Sequence, residues 1–597
     1  MLRGFDTLSR LRPFASAATL AVFAFILLYL FFLSSSATTT PVSTSSPLPP
    51  HPIDHLVERA DADFRRLLET RSTTLNDAAA RYRVRRGRHP PPGFDAWFEF
   101  ALGKNAVVVE DFFDQIYDDL APFWGLSPRD IRIATTRHEQ TIVSVRNGAV
   151  SKLTPKDSWR MDHWTNLVET IAEVAPVPDI HLPMNIMDES RLFVPWEGIN
   201  SLVASEIEQR DMTLDPSRLV NHFSALEDMD AEVAPVDWIR EPSQMWPLLR
   251  ATCHPDSPAR QAPDHVDLSV PAPDYLPLRH PEASWHGYVQ NWTVARDPCH
   301  HPHLRGLHGT FIEPTSTKAT TRLIPLFAGS KLRGNNEILV PAAMYWGDWQ
   351  EYSGGQEHGD AWEKKLDRFV WRGVASGGRN KAETWPHFHR HRWVSMANGT
   401  TVADAEAHGG ESVAFKLPDP ALYDVGAAKE GRLGEWIDPL GNVGFNDLLC
   451  FPQEGGPHCS YSGPYFEIAQ HLSMLDQYHH KFLPDIDGNS YSARYRAFLL
   501  STSLPIKASI YREWHDSRLF PWVHFVPMDN TFIDFYGILD YLLAHDSVAK
   551  SLANQGQEWA QQVLRKEDMQ VYMYRLILEF ARVCDENRTL LAFTDDL

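Results

Sequence analysis

The sequence predicts an α/β protein with a mainly parallel sheet in its last third, and three observations lead there. Between residues 490 and 583 a helix-like "SARYRAFLLSTS", apolar "LPIKASI" and "WVHFVPM", and helical "TFIDFYGILDYLLAHD" interleave, followed by two further helical stretches. Upstream, "DRFVWRGVASGGRN" (367–380) runs an apolar, aromatic stretch into a glycine-rich turn. Such turns follow strands where α/β sheets bind ligands, although the same residues also suit a surface hairpin. Finally, 43% hydrophobic residues with 19 Trp and 31 Phe in 597 residues supply a large core and exclude a mostly disordered chain.

Taken from the N-terminus, residues 1–13 read as a cytoplasmic tail and Phe14 to Leu33 as a transmembrane anchor. Those twenty uncharged residues can cross a hydrocarbon layer of about 30 Å as a helix. Arg3, Arg10 and Arg12 precede the run and the next basic residue is Arg59, so the positive-inside bias places the body on the luminal side. A cleaved signal peptide is the rival reading, but the apolar run is longer than the usual signal core. Residues 34–93 read as stalk and stem, first rich in Ser, Thr and Pro ("SSSATTTPVSTSSPLPPHP"), then polar and Arg-rich ("RYRVRRGRHPPPG").

A luminal body agrees with three glycosylation acceptor patterns, at Asn291, Asn398 and Asn587. It also permits disulfides among five cysteines. Cys450 with Cys459, bracketing a Pro/Gly loop, is the first pairing expected and Cys253 with Cys299 the second, which leaves Cys584. No cysteine spacing resembles a zinc site. The folded region is expected to begin near Phe94. "VVVEDFFDQIYDDLAPFWG" reads as helical, and "IRIATTRHEQTIVSVRNGAVSKL" as a hairpin about Asn147-Gly148. A net charge of −21 opposes the basic footprint of nucleic-acid binding, so an anionic ligand needs a local cluster of arginines.

Two stretches offer such a cluster: "VWRGVASGG" and "DIDGNSYSARY" (485–495) both combine Gly, Ser and Arg. Glycine lets backbone N–H groups approach a diphosphate, and arginine adds charge-assisted hydrogen bonds. Either alone is equally a turn; together in one α/β region they favour phosphate. "DID" (485–487) also fits the short acidic pattern that holds a divalent metal on a nucleotide sugar, although the same pattern recurs by chance as "DAD" at 61–63. The histidines of "CHHPHLRGLHG" and "HFHRHRW" invite a metal reading, but no spacing fits HExxH, and a solvated or anion-facing surface is the plainer account. His308 is a candidate to line a cleft, and Trp346 to stack on a sugar face.

In order along the chain, "HGTFIEP" (308–314), "LIPLFAGSK" (323–331), "EILVPAAMYW" (337–346), "FVWRGVASGG" (369–378), "DGNSYSARY" (487–495), "LFPWVHFVPM" (519–528) and the helical 545–583 resemble glycosyltransferase family 90. This is the capsule-associated-protein type that includes protein O-glucosyltransferases and fungal β-1,2-xylosyltransferases. The resemblance runs over roughly residues 180–585 and implies a GT-B-like fold of two Rossmann-like lobes with a cleft between them. The lobes then fall at 94–335, on the acceptor side, and 336–597, carrying the nucleotide-sugar site and C-terminal helices.

The resemblance further implies inverting transfer of xylose or glucose from a UDP-sugar to a glycan or glycoprotein hydroxyl. It implies no required metal or other cofactor, and a Golgi or endoplasmic-reticulum membrane location. Inversion in one displacement needs a base at the acceptor hydroxyl and donors on the departing diphosphate. The family's Asn-x-x-Asp motif maps to Asn185 and Asp188 in "LPMNIMDESRL", with Glu189 the fallback base; a plain turn or helix cap is the alternative reading of Asp188. The matching diphosphate positions are Arg372, Gly373, Ser376 and Arg379 in the first loop and Gly488, Ser492 and Arg494 in the second. Related glucosyltransferases carry a second Arg where this chain has Ala375. These departures, at Ala375 and after Asp188, keep open an inactive luminal sugar-binding or scaffold protein on the same fold.

Overall fold

The computed structural model describes residues 50–597 apart from 138, 213–215, 227–233, 278, 455–457 and 464. The expected tail, the anchor Phe14 to Leu33 and most of the Ser/Thr/Pro stalk lie outside the described residues. Among the described residues no helix is long and apolar enough to cross a membrane. Pro52–Leu597 forms one compact unit.

The N-terminal strands β1 (Ile142–Arg146), β2 (Ala149–Leu153) and β3 (Ile180–Pro183) pair antiparallel in the order β2-β1-β3. β1 and β2 form the expected hairpin: Asn147 and Gly148 take φ of 48° and 72°, the left-handed conformations that a two-residue turn requires. After β4 (Ser284–Trp285) and β5 (Tyr288–Val289) comes the short parallel pair β6 (Phe327–Ala328) and β7 (Ile338–Leu339). A parallel bridge from Met184 to Phe327 joins this pair to the end of β3. The N-terminal sheet is therefore mixed.

The all-parallel sheet lies in the C-terminal region, with β8 (Leu366–Val374), β9 (Gly441–Asp447), β10 (His480–Ile486), β11 (Leu504–Ala508) and β12 (Val526–Pro527) in the order β12-β11-β10-β8-β9. β10 is buried at all seven positions, as a central strand covered on both faces must be. The chain steps from β8 outward to β9, then returns to lay β10 on the other side of β8. Strand order thus reverses between β8 and β10, and an α/β sheet opens a crevice beyond its carboxyl ends at such a point. "DRFVWRGVASGGRN" is β8 and the loop after it rather than a hairpin.

Two sequence readings are corrected by packing. Residues 53–93, read as stem, form the helices Pro52–Leu68 and Leu75–Arg86, with Ile53, Leu56 and Tyr82 in the core. Two arginines at the end of this stretch are buried in pairs: Arg86 donates to Glu110 at 2.8 Å and lies over the Tyr117 ring, while Arg88 pairs with Glu206 over Trp124. The last helix, Lys566–Cys584, was assigned to the second lobe. It packs instead among Trp97, Phe113 and Phe327 of the N-terminal core, where Trp97 Nε1 donates to Val571 O at 3.0 Å. The disulfides Cys253–Cys299 and Cys450–Cys459 match the expected pairs, and Cys584 is a buried thiol.

Candidate active site

Beyond the carboxyl ends of β8 and β10 opens a cleft of about 420 Å³. Its walls are the loop after β8, the loop after β10, and the turn carrying Asp188 that follows β3. The two glycine-rich stretches meet here, with Asp188, 184 residues before Arg372, because the topology reverses at this edge.

Asn185 builds the turn that presents Asp188. Its backbone N–H donates to Phe327 O at 2.7 Å, which fixes it at the end of β3. Its buried amide then accepts from Met187 N–H at 3.1 Å and donates to Glu189 O at 3.1 Å. This is a physical reason for Asn three residues before Asp: one side chain closes the loop from inside. No helix follows, so Asp188 caps nothing. Its carboxylate accepts from Arg160 at 2.6 Å and is 38% exposed, within reach of a ligand in the cleft. Glu189, the fallback base, does not line the cleft. It is buried against Ser316, accepting from its N–H at 2.8 Å and from its hydroxyl, and burial raises its carboxyl above the ordinary range.

The loops after β8 and β10 are tied together. Asn489 Oδ1 accepts from Gly377 N–H at 2.9 Å and from the Thr315 hydroxyl at 3.0 Å. Arg390 bridges both loops from beneath, donating to Ser376 Oγ at 2.7 Å, Val374 O at 2.8 Å, Asp487 O at 2.7 Å and Ile486 O at 3.0 Å. A side chain at Gly488 would meet Ser376 Oγ and the Arg390 guanidinium at about 3 Å, which is why this position must be bare. Burial, then neighbouring Arg494, pushes Arg390 down to about 9, still charged at neutral pH.

The expected phosphate ligands separate into unlike groups. Arg494 donates one Nη1 bond to Arg372 O, while its Nη2 is buried without a protein acceptor; the Ser492 hydroxyl is likewise buried and unpartnered. Arg372 lines the cleft, but its donors go to Gln470 O, Asn442 O and Asn442 Oδ1 at 2.7–2.9 Å. Gly373 and Ser376 also line it. Arg379 does not: it is spent on Thr315 O at 2.8 and 3.1 Å, against the Phe451 ring. Ala375 is fully buried, so an arginine could not stand there without opening the core. Arg390 is the residue that sequence reasoning missed. It sits in "HFHRHRW", where alternating His and Arg drew attention to the histidines.

Comparison with known proteins bears on the wall formed by residues 488–494. Residues 462–590 match the family model described as Glycosyl transferase family 90. That segment, which carries β10, β11 and β12, is similar to the family over those residues alone. Human Protein O-glucosyltransferase 1 is 22% identical over 273 residues, 45% of this chain and 59% of that protein. Protein O-glucosyltransferase 2 of Danio rerio is 28% identical over 120 residues, 20% of this chain and 24% of its own. Protein O-glucosyltransferase 3 of Rattus norvegicus is 29% identical over 114 residues, 19% and 22% of the two chains. The chain thus spans about 59% of the length of the first of these relatives.

The matched segment contains Gly488, Ser492 and Arg494, whereas Asp188 and the loop after β8 lie outside it. It also contains the acidic pattern at 485–487. Asp485 accepts from Lys507 at 2.8 Å, and Asp487 from Ser509 Oγ at 3.0 Å and Ile510 N–H at 2.8 Å, with His308 Nε2 at 3.2 Å. Neither carboxylate lines the cleft. Burial alone would raise Asp487, but His308 and His389 beside it hold it at about 2. His308, His389 and Asp487 lie close enough to hold an ion. However, the two imidazoles are stacked, with centroids 3.7 Å apart and planes 6° from parallel. Both Nε2 atoms meet Asp487 Oδ1, at 3.2 and 3.3 Å, so in this structure the trio is a hydrogen-bonded strut. His308 therefore stands behind the loop. Trp346 is buried, donating to Asn166 Oδ1 at 2.9 Å, and does not line the cleft.

Proposed function

We propose that this chain is an inverting glycosyltransferase that moves xylose or glucose from a UDP-sugar to a hydroxyl of a glycan or glycoprotein acceptor, on a two-lobed GT-B-like fold. Asp188 takes the acceptor proton as the acceptor oxygen attacks the anomeric carbon from the face opposite the diphosphate. The bond from that carbon to the diphosphate oxygen breaks, and UDP leaves with its electron pair beside Arg494, Ser492 and the Arg390-braced loops. One observation carries this reading: Asp188, Ser492 and Arg494 line one cleft, and the latter two residues each hold a buried donor, Oγ and Nη2, that lacks a protein partner. A buried N–H or O–H left unmatched costs about 1–3 kcal/mol, and phosphate oxygens are acceptors that relieve it.

The relatives' names speak of O-glucosyl transfer to protein, which supports glucose as donor sugar and a protein acceptor; xylose rests on the sequence motifs. A secretory-pathway body held by the apolar run at 14–33 agrees with two disulfides and with the exposure of Asn291, Asn398 and Asn587. No divalent metal is expected to be required. The test is a UDP-release assay of the full chain against a panel of UDP-sugars, with and without EDTA. Release with UDP-glucose or UDP-xylose that survives EDTA supports the proposal. Failure to release UDP from either sugar sinks it.

A further inference from the structure

A second cavity, of about 580 Å³, shares no lining residue with the cleft and lies within the 300–1,000 Å³ range of small-ligand pockets. One wall is pinned by the Cys253–Cys299 disulfide, with both cysteines in the lining, so the site is preformed rather than assembled on binding. Trp196, at the start of the helix Trp196–Glu208, stands half-buried at its side, its ring edge-on to His254 with centroids 4.7 Å apart. Asp297 is buried in the wall. Its Oδ1 accepts from Cys299 N–H at 3.0 Å, and its Oδ2 faces Arg333 Nη1 at 3.3 Å. The Ser257 hydroxyl is more than nine-tenths buried, lines the same cavity and has no protein partner.

From these features we infer that the cavity is a binding site for a neutral oligosaccharide, separate from the catalytic cleft. An indole with an accessible face offers apolar surface to the C–H side of a sugar ring. The polar lining mixes acceptors (Asp256, Asp297) with donors (Arg333, Asn336) and the unmatched Ser257 hydroxyl, which suits hydroxyl groups that both donate and accept. Two carboxylates against one guanidinium disfavour an anion, in contrast to the catalytic cleft with Arg372, Arg390 and Arg494. The site would hold part of a glycan away from the reacting centre, and its existence does not depend on the transfer reaction proposed above.

The experiment is saturation-transfer NMR and calorimetric titration of the full chain with mannopentaose, xylopentaose and cellopentaose. At least one is expected to bind saturably. Trp196→Ala should weaken that binding about tenfold, the loss of roughly one stacking contact. Arg333→Ala, at a side chain 43% exposed, should weaken it severalfold. Both variants should keep wild-type UDP affinity, which separates this site from the cleft and reports that they fold. Absence of saturable binding by all three sugars at about 10 mM, or binding unchanged in both variants, would overturn the inference.

Discussion

In the proposed reaction Arg494 and Asp188 have separate roles in the cleft, and each has its own expected signature. Arg494 holds a buried Nη2 without a protein partner, whereas Arg372 gives its donors to backbone carbonyls and Asn442, and Arg379 gives its guanidinium to Thr315. Arg494→Ala is therefore expected to weaken UDP binding by about 10- to 100-fold, the range for a lost charge-assisted hydrogen bond. Arg379→Ala should change UDP affinity less than about threefold, as a residue outside the cleft would. Calorimetric titration of the two variants checks the contrast, and equal losses would return Arg379 to the site. From the sequence, motif position placed Arg494 and Asp188 as candidates for one site, and both line the same cleft. The difference between Arg372 and Arg494 was not legible there, because it depends on which carbonyls the folded loop leaves within reach of each fork.

At the scale of elements, the site is two loops locked edge to edge and buttressed from behind. Gly377 and Gly378 take φ of +102° and +136°, where side chains are strained, and a Cβ on Gly309 would lie 1.6 Å from Gly377 O. Gly309 belongs to "HGTFIEP", so that motif serves as the backing against which the loop after β8 rests. Gly309→Ala is expected to displace the loop, lowering both Tm and UDP affinity, although residue 309 does not line the cleft. Thermal melts and titration check this; an unchanged UDP affinity would show that the buttress does not set the loop. The glycines and the strand before them were visible in the sequence. Their partner was not, since contact between residues 309 and 377 arises only when the chain closes on itself.

For the whole molecule, the parallel C-terminal sheet and both disulfides could be read in advance from alternating elements and cysteine spacing. The helical character of residues 52–86 could not. An Arg-rich amphipathic segment looks like a solvated stem until Glu110 and Glu206 are brought to it from elsewhere in the chain. Burial of ionisable groups also sets the response to acid. His391 and His524 are almost wholly buried and burial pushes both down to about 3, so the folded state keeps them neutral while the unfolded chain protonates them below about 6.5. The unfolded state then binds more protons, and stability falls as pH drops through that value. Each contributes a loss of about 1 kcal/mol between pH 6 and pH 5. Asp534, whose carboxyl is pushed well above the ordinary range by burial and then by Asp529, works in the opposite sense and offsets part of it. Asp487, held at about 2, stays ionised throughout and contributes no slope there. A Tm that declines between pH 7 and pH 5, and declines less in His524→Gln, is the expected result.

The central claim is that one cleft holds a proton acceptor at Asp188 and a diphosphate anchor at Arg494, and Asp188→Asn tests it most directly when transfer and UDP binding are measured on the same protein. The expected result is UDP affinity within about twofold of wild type and transfer reduced by about 10²- to 10⁴-fold, the usual share of a general base. Near-normal transfer by this variant, or loss of UDP binding in step with transfer, would contradict the account.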